Sequence, residues 1–192
     1  MNKILVWDLP TRLFHWLLVL AFAAAYISGD TGGNWLVWHG RIGLFIVGLI
    51  AFRLTWGFAG STYARFAKFL RGPAKIRAYL RGAWPGPGRT CLGHNPLGAL
   101  SVLALLGALC LQVGTGLFSN DDIAFTGPLH QLVSKETSDR LTGLHHRGVW
   151  LVGALVGLHL GAIAFYRRFR QEDLIKPMLT GHKQTDDGQA QA

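Results

Sequence analysis

Histidine is the residue type here with the most chemistry to offer. There are 8 in 192 residues, and His15, His39, His94, His145, His146 and His159 lie within or at the ends of long apolar blocks. The neutral imidazole ligates metals and carries protons near neutral pH. Ionisable side chains inside a membrane are expensive and mark functional sites by default. His145 and His159 are 14 residues apart, so at about 100° per residue they differ by only about 40° and share one helix face. The same interval covers about 21 Å of helix, enough to serve two sites stacked within one bilayer. His146 points to nearly the opposite side and reads as an interface or loop residue.

The elements that must position these histidines are apolar and long. Half of the chain is hydrophobic, and charged residues reach only 15%, against about a quarter in ordinary globular proteins. The apolar residues gather in four blocks, about 12–29, 39–58, 96–118 and 146–166, each near the roughly 20 residues that cross a bilayer as a helix. The sequence therefore predicts an all-α, multi-pass membrane protein. It would comprise a four-helix transmembrane bundle over 1–168 and a polar tail over 169–192, in which the stretch from His182 reads as disordered.

The net charge of +9 is unevenly spread. The connection between the second and third blocks carries Arg65, Lys68, Arg71, Lys75, Arg77, Arg81 and Arg89, and the tail adds Arg167, Arg168, Arg170, Lys176 and Lys183. The two other connections hold Asp30, Asp121, Asp122, Glu136 and Asp139 against only Lys135 and Arg140. The positive-inside rule places both termini and the second connection in the cytoplasm. Such a basic face suits anionic lipid headgroups. It lacks the interleaved aromatic residues of a nucleic-acid platform, so no nucleic acid is expected. The first apolar block is too long for a signal-peptide h-region and no cleavage site stands out. Cys91 and Cys110 fall on the cytoplasmic side and within a span, and neither belongs to Cys-x-x-Cys-His, so neither a disulfide nor covalent haem attachment is expected.

With that topology the histidines form two layers, His39 with His145 or His146 outside and His15 with His159 or His94 inside. Helical phase selects His145 over His146. Pairs of imidazoles facing each other across helices suit axial ligation of a planar haem, whose iron takes one nitrogen from each face. Zinc would want three or four ligands converging on one point. A proton relay would usually include an Asp or Glu within the spans, and these have none. Any single histidine at a span end is explained as well by interfacial hydrogen bonding, but His159 is too deep for that, and the four together favour ligation. Arg41 and Arg147 each follow an outer histidine by two residues, placed to pair with haem propionates. Arg12 and Arg53 could do so on the inner side, or could simply snorkel. Gly153, Gly157 and Gly161 suit close helix packing.

Three stretches carry a resemblance: Arg-Leu-Phe-His-Trp around His15, His-Gly-Arg-Ile-Gly from His39, and His145 through Gly157-Leu158-His159. In their order and spacing the chain resembles the bacterial four-helix di-haem cytochromes b, the group that includes bacterial cytochrome b561 and the b-type subunits of nickel–iron hydrogenases. The likeness runs over roughly 6–168. It implies two non-covalent haems b, the inner held by His15 and His159 and the outer by His39 and His145. It also implies electron transfer between membrane quinone and a periplasmic partner, a c-type cytochrome or a hydrogenase-like protein. His94 and Asn95, before the third block, correspond to positions that contact quinone in related proteins. Their plain alternative is helix capping, with Asn95 ahead of Pro96 at the first helical position. Hydrogenase cytochromes b often carry a further helix or docking extension, and no stretch of this sequence supplies one. Instead, the outer connection from Ser119 to Leu144 is long, with His130 in a short interfacial helix expected between Pro128 and Val133. Asp121 and Asp122 could steer a basic c-type cytochrome.

Two other functions fit the same residues. One, implied by the resemblance to bacterial cytochrome b561, is a superoxide:quinone oxidoreductase acting alone, for which Arg41 and Arg147 could draw the anion to the outer rim. The other is a haem-free membrane anchor or metal transporter. A homodimer is compatible with all of these.

Overall fold

In hydrocarbon a backbone can hydrogen-bond only within the protein, so uninterrupted apolar blocks of this length fold as helices. The computed structural model describes residues 2–70, 72–82, 90–123, 125–185 and 190–191. Its elements are β1 (Asn2–Leu5), α1 (Leu9–Thr31), α2 (Trp35–Ala59), α3 (Phe66–Phe69), α4 (Pro73–Leu80), β2 (Thr90–Cys91), α5 (Pro96–Leu117), α6 (Lys135–Phe169), α7 (Ile175–Thr180), β3 (His182–Thr185) and β4 (Ala190–Gln191). A single 3-10 turn, His130–Leu132, stands where the short outer helix was expected. Helices α1, α2, α5 and α6 are each long and apolar enough to cross a membrane. Much of their surface is apolar and exposed, as at Leu20, Phe58, Leu111 and Trp150, which only lipid would cover. Arg71, Arg89 and the Cys91 side chain lie outside the described residues.

The chain divides into two compact units. The loop unit comprises Phe14–Phe52 and Ala104–Gly157, and the terminal unit Met1–Leu13, Arg53–Leu103 and Leu158–Ala192. The loop unit buries Phe14, Ala21, Ala25, Ile46, Leu49, Ile50, Leu106, Ala108, Leu109 and Val152, drawn from all four long helices. The small side chains among them let helices approach closely.

Helix α6 starts at Lys135, eleven residues ahead of the apolar stretch at 146. Its first turns are polar and so carry no membrane signal, yet they are well specified. The Ser134 hydroxyl accepts the Thr137 N–H at 3.3 Å, as an N-cap does. Glu136 and Arg140 pair at i,i+4, 2.6 Å apart. Ser138, 2% exposed, donates to the Phe118 carbonyl at 2.7 Å and ties the helix to the end of α5. Asp121 builds the intervening loop, its carboxylate accepting the N–H groups of Ile123 at 3.0 Å and Phe125 at 2.8 Å. Asp122 is paired with Lys135. Both acids thus shape the loop, which leaves less of their charge for steering a partner.

The terminal unit corrects the reading of the tail as disordered from His182. Strand β3 pairs antiparallel with β1, Asn2 opposite Thr185 and Leu5 opposite His182. The turn before β3 is Gly181 at φ +84°, a left-handed conformation that favours glycine. Its carbonyl accepts Val6 N–H at 2.8 Å and Trp7 N–H at 3.1 Å. Arg12 donates to the Leu179 carbonyl at 2.6 Å. A four-residue polar segment has no hydrophobic period to announce it, and its order comes from a partner at the opposite end of the chain. Residues 186–189 and 192 of the tail are outside the described residues.

Candidate functional site

Within the loop unit, α2 contributes His39 and α6 contributes His145 to one cavity of about 380 Å³, within the range of roughly 300–1,000 Å³ usual for ligand pockets. Its walls are mostly apolar, with Phe22, Ile46, Leu109 and Val149 among them. The two imidazole centroids are 5.8 Å apart and their planes stand at 86°. Two metal–imidazole bonds of about 2 Å each, with the depth of the two rings, separate such centroids by roughly 6 Å. The spacing fits a single metal centre ligated from both sides.

The orientation of each ring is fixed by its other nitrogen. His39 Nδ1 lies 2.8 Å from the Ala25 carbonyl of α1, and His145 Nδ1 lies 2.8 Å from the Gln112 carbonyl of α5. A carbonyl can only accept, so both Nδ1 atoms carry the proton and both Nε2 atoms present a lone pair. This is the arrangement in which a histidine ligates through Nε2 while its second nitrogen is held by an outer-shell acceptor. A planar group with an axially ligated iron therefore fits these residues. His146 is exposed and borders the same cavity, its ring 6.3 Å from that of His145. His145 is the more buried of the two.

The other sequence candidates are placed less directly. Arg41 and Arg147 are exposed. The Arg41 guanidinium stacks 5.0 Å over the Trp38 ring, and Arg147 donates to the Gly143 carbonyl at 3.1 Å. Neither makes an ion pair among the described residues. His15 is half-buried with its ring edge-on to Trp16, centroids 5.0 Å apart. It belongs to the loop unit, whereas His159, also half-buried, belongs to the terminal unit.

In the terminal unit the Asn95 side chain accepts the Gly98 N–H at 2.7 Å, so Asn95 caps α5 ahead of Pro96. His94 packs on Trp7, centroids 4.7 Å apart. Burial first, then the positive charge of Arg53, push its imidazole down to about 3, so His94 is neutral at physiological pH. Arg53 is only 3% exposed. It donates to the Ala64 carbonyl at 3.2 Å and lies 4.9 Å over the Phe66 ring, which makes it a buried cation rather than a snorkelling one. Arg12, tied to Leu179, serves the tail.

Sequence reasoning missed Gln112 and two glycines. Gln112 borders the cavity and donates to the His145 carbonyl at 3.0 Å. Its signal was available, because it is the one amide side chain in the apolar run of α5, and polar groups in spans face protein rather than lipid. Gly29 and Gly116 carried no such signal, since nothing in a linear pattern shows which glycine faces a neighbouring ring.

A model of the prokaryotic cytochrome b561 family matches residues 6–181. The chain is 22% identical over 213 residues to the probable Ni/Fe-hydrogenase 1 B-type cytochrome subunit of Escherichia coli (strain K12), covering 93% of this chain and 89% of that protein. It is likewise 22% identical to the probable Ni/Fe-hydrogenase B-type cytochrome subunits of Azotobacter chroococcum mcd 1, with 97% and 90% covered, and of Rhodobacter capsulatus, with 97% and 83% covered. No solved structure is found to match.

Proposed function

The chain belongs to the prokaryotic cytochrome b561 family, and from that premise we propose that this membrane b-type cytochrome passes electrons through two bis-histidine haems b, between the quinone pool and a periplasmic redox partner. The observation that carries this reading is the pairing of His39 and His145 across one apolar cavity, each with Nδ1 held by a backbone carbonyl. When bound, haem would supply a one-electron couple, and a pair of histidines holding each group would favour electron transfer over oxygen chemistry. His39 and His145 would hold the outer group. His15 and His159 would hold the inner one, with His159 on the same face of α6 as His145. Arg41 and Arg147 are assigned to propionates at the outer rim, and neutral His94, with Asn95, to a quinone beside the inner haem. The membrane would be the bacterial inner membrane. The partner would be a c-type cytochrome or, as the names of the relatives suggest, a hydrogenase, with a homodimer allowed.

The test is a pyridine haemochrome assay with redox difference spectra on the purified chain and its His159→Ala variant. Two b haems per chain, falling to at most one in the variant, are expected. A colourless chain from cells with adequate haem would overturn the reading in favour of a haem-free anchor or transporter. The superoxide:quinone reading draws on exposed Arg41 and Arg147, but Asp30 and Asp121 border the cavity of His39 and His145 and oppose anion attraction there. Quinone reduction by superoxide with the lone chain would favour it over partner-dependent transfer.

A further inference from the structure

We propose that Gly29 and Gly116 are the positioning residues of the outer site. Each forms, with the carbonyl four residues before it, a notch that locks one ligand histidine in the tautomer and direction ligation needs. The inference rests on the reading of His39 and His145 as haem ligands.

The two notches are built alike on different helices. On α1, the Ala25 carbonyl holds His39 Nδ1 at 2.8 Å, and a Cβ added at Gly29 would lie 2.8 Å from that nitrogen and 3.0 Å from Cε1. On α5, the Gln112 carbonyl holds His145 Nδ1 at 2.8 Å, and a Cβ added at Gly116 would lie 2.8 Å from Cε1 and 3.0 Å from Nδ1. In an α-helix residues i and i+4 stack along one face, so the carbonyl and the bare glycine above it offer a shelf only a planar ring can use. Gly43, Gly48, Gly107, Gly153 and Gly157 have nothing within 4 Å of an added Cβ, and Gly40, Gly57 and Gly148 crowd Phe125, Phe66 and Gln112 instead, so among the described span glycines Gly29 and Gly116 are the two pressed against a histidine ring. Each notch also belongs to a helix hairpin, α1 receiving the histidine of α2 and α5 that of α6. One ligand is thereby set within each hairpin, with 86° between the two ring planes.

A methyl at either glycine would push the imidazole outward and loosen its Nδ1 hydrogen bond. The backbone need not move, since the ring is the group that yields. Ligand placement within about 0.5 Å is what such sites require, so the effect should fall on the outer haem alone.

The experiment uses the full chain in detergent as wild type, Gly29→Ala, Gly116→Ala and the control Gly107→Ala. Haem content, the low-spin ferric EPR spectrum and a potentiometric titration are measured on each. The control is expected to match wild type. Each notch variant is expected to lose one of two haems, or to keep it with shifted g-values and midpoint potential while the inner haem stays unchanged. Notch variants identical to wild type would overturn the proposal, as would loss of both haems together. Because a variant can fail to fold, nitrogen-15 histidine NMR of the haem-free wild type gives a second test. His39 and His145 should be protonated at Nδ1, and Nε2-protonated tautomers for both would overturn the notches. A wild type that binds no haem defeats the proposed function, while the tautomer measurement still judges the notches.

Discussion

Two adjacent histidines on α6 meet different surroundings. His145 and His146 differ by one position, yet one is half-buried against Gln112 and the other is exposed. His145→Ala is expected to remove the outer haem, halving the haemochrome yield, whereas His146→Ala should leave both haems. Equal loss in the two variants would sink the assignment of His145. Asp8 offers a residue-scale prediction at the other end. Burial acts to raise its pKa, but hydrogen bonds from the Thr11 N–H at 3.0 Å and Trp56 Nε1 at 2.9 Å outweigh it, and the net shift is downward. A carboxylate with a lowered folded-state pKa stabilises fully above its unfolded value, about 3.9, and loses that contribution as pH falls through the folded value. Asp8→Asn should therefore be less stable than wild type at neutral pH, with the gap closing below about pH 4, as read from thermal midpoints in detergent across that range. The place proposed for His145 could be argued from sequence because a 14-residue interval fixes its phase against His159. The notch glycines were not, because their role lies in what a neighbouring helix brings to them.

The four long helices were legible from composition alone, and they begin and end within a few residues of the apolar blocks except at the start of α6. There the first turns carry Lys135, Glu136, Asp139 and Arg140, and a hydropathy window sees only a loop. The information was local chemistry instead: a serine cap, two i,i+4 ion pairs, and Ser138 turned inward. Removing the Ser138 hydroxyl leaves the Phe118 carbonyl without that donor. Ser138→Ala should destabilise the chain by about 1–2 kcal/mol. The thermal midpoint should fall, and limited proteolysis should cut sooner within Ser119–Ser134. An unchanged cleavage rate would show that the loop is held by other contacts. Asn95→Ala should cost about 1 kcal/mol through the lost cap of α5. If quinone binding also fell, Asn95 would have a second role beside the cap.

At the scale of the molecule, the pairing of β1 with β3 puts the two ends of the chain on the same side of the membrane, which requires an even number of crossings. Four spanning helices satisfy this, and the distribution of charge says which side it is. Cysteines introduced singly at Glu136→Cys and Arg170→Cys, in a background without Cys91 and Cys110, should label differently in intact cells. An impermeant thiol reagent should reach the first from outside and the second only after lysis, and the reverse pattern would invert the orientation. Charge predicts that orientation from sequence, whereas the clasp of the termini was not legible there, since neither strand has a hydrophobic period of its own. The clasp also sets an order of events during synthesis. Asn2–Leu5 leaves the ribosome before any span has formed, and its partner His182–Thr185 is made after all four. At roughly 5–20 residues per second the first strand waits about 10–40 s for the second. Throughout that interval insertion of the helices must proceed with the N-terminal segment unpaired, so closure of the clasp marks a chain whose last span is already in place.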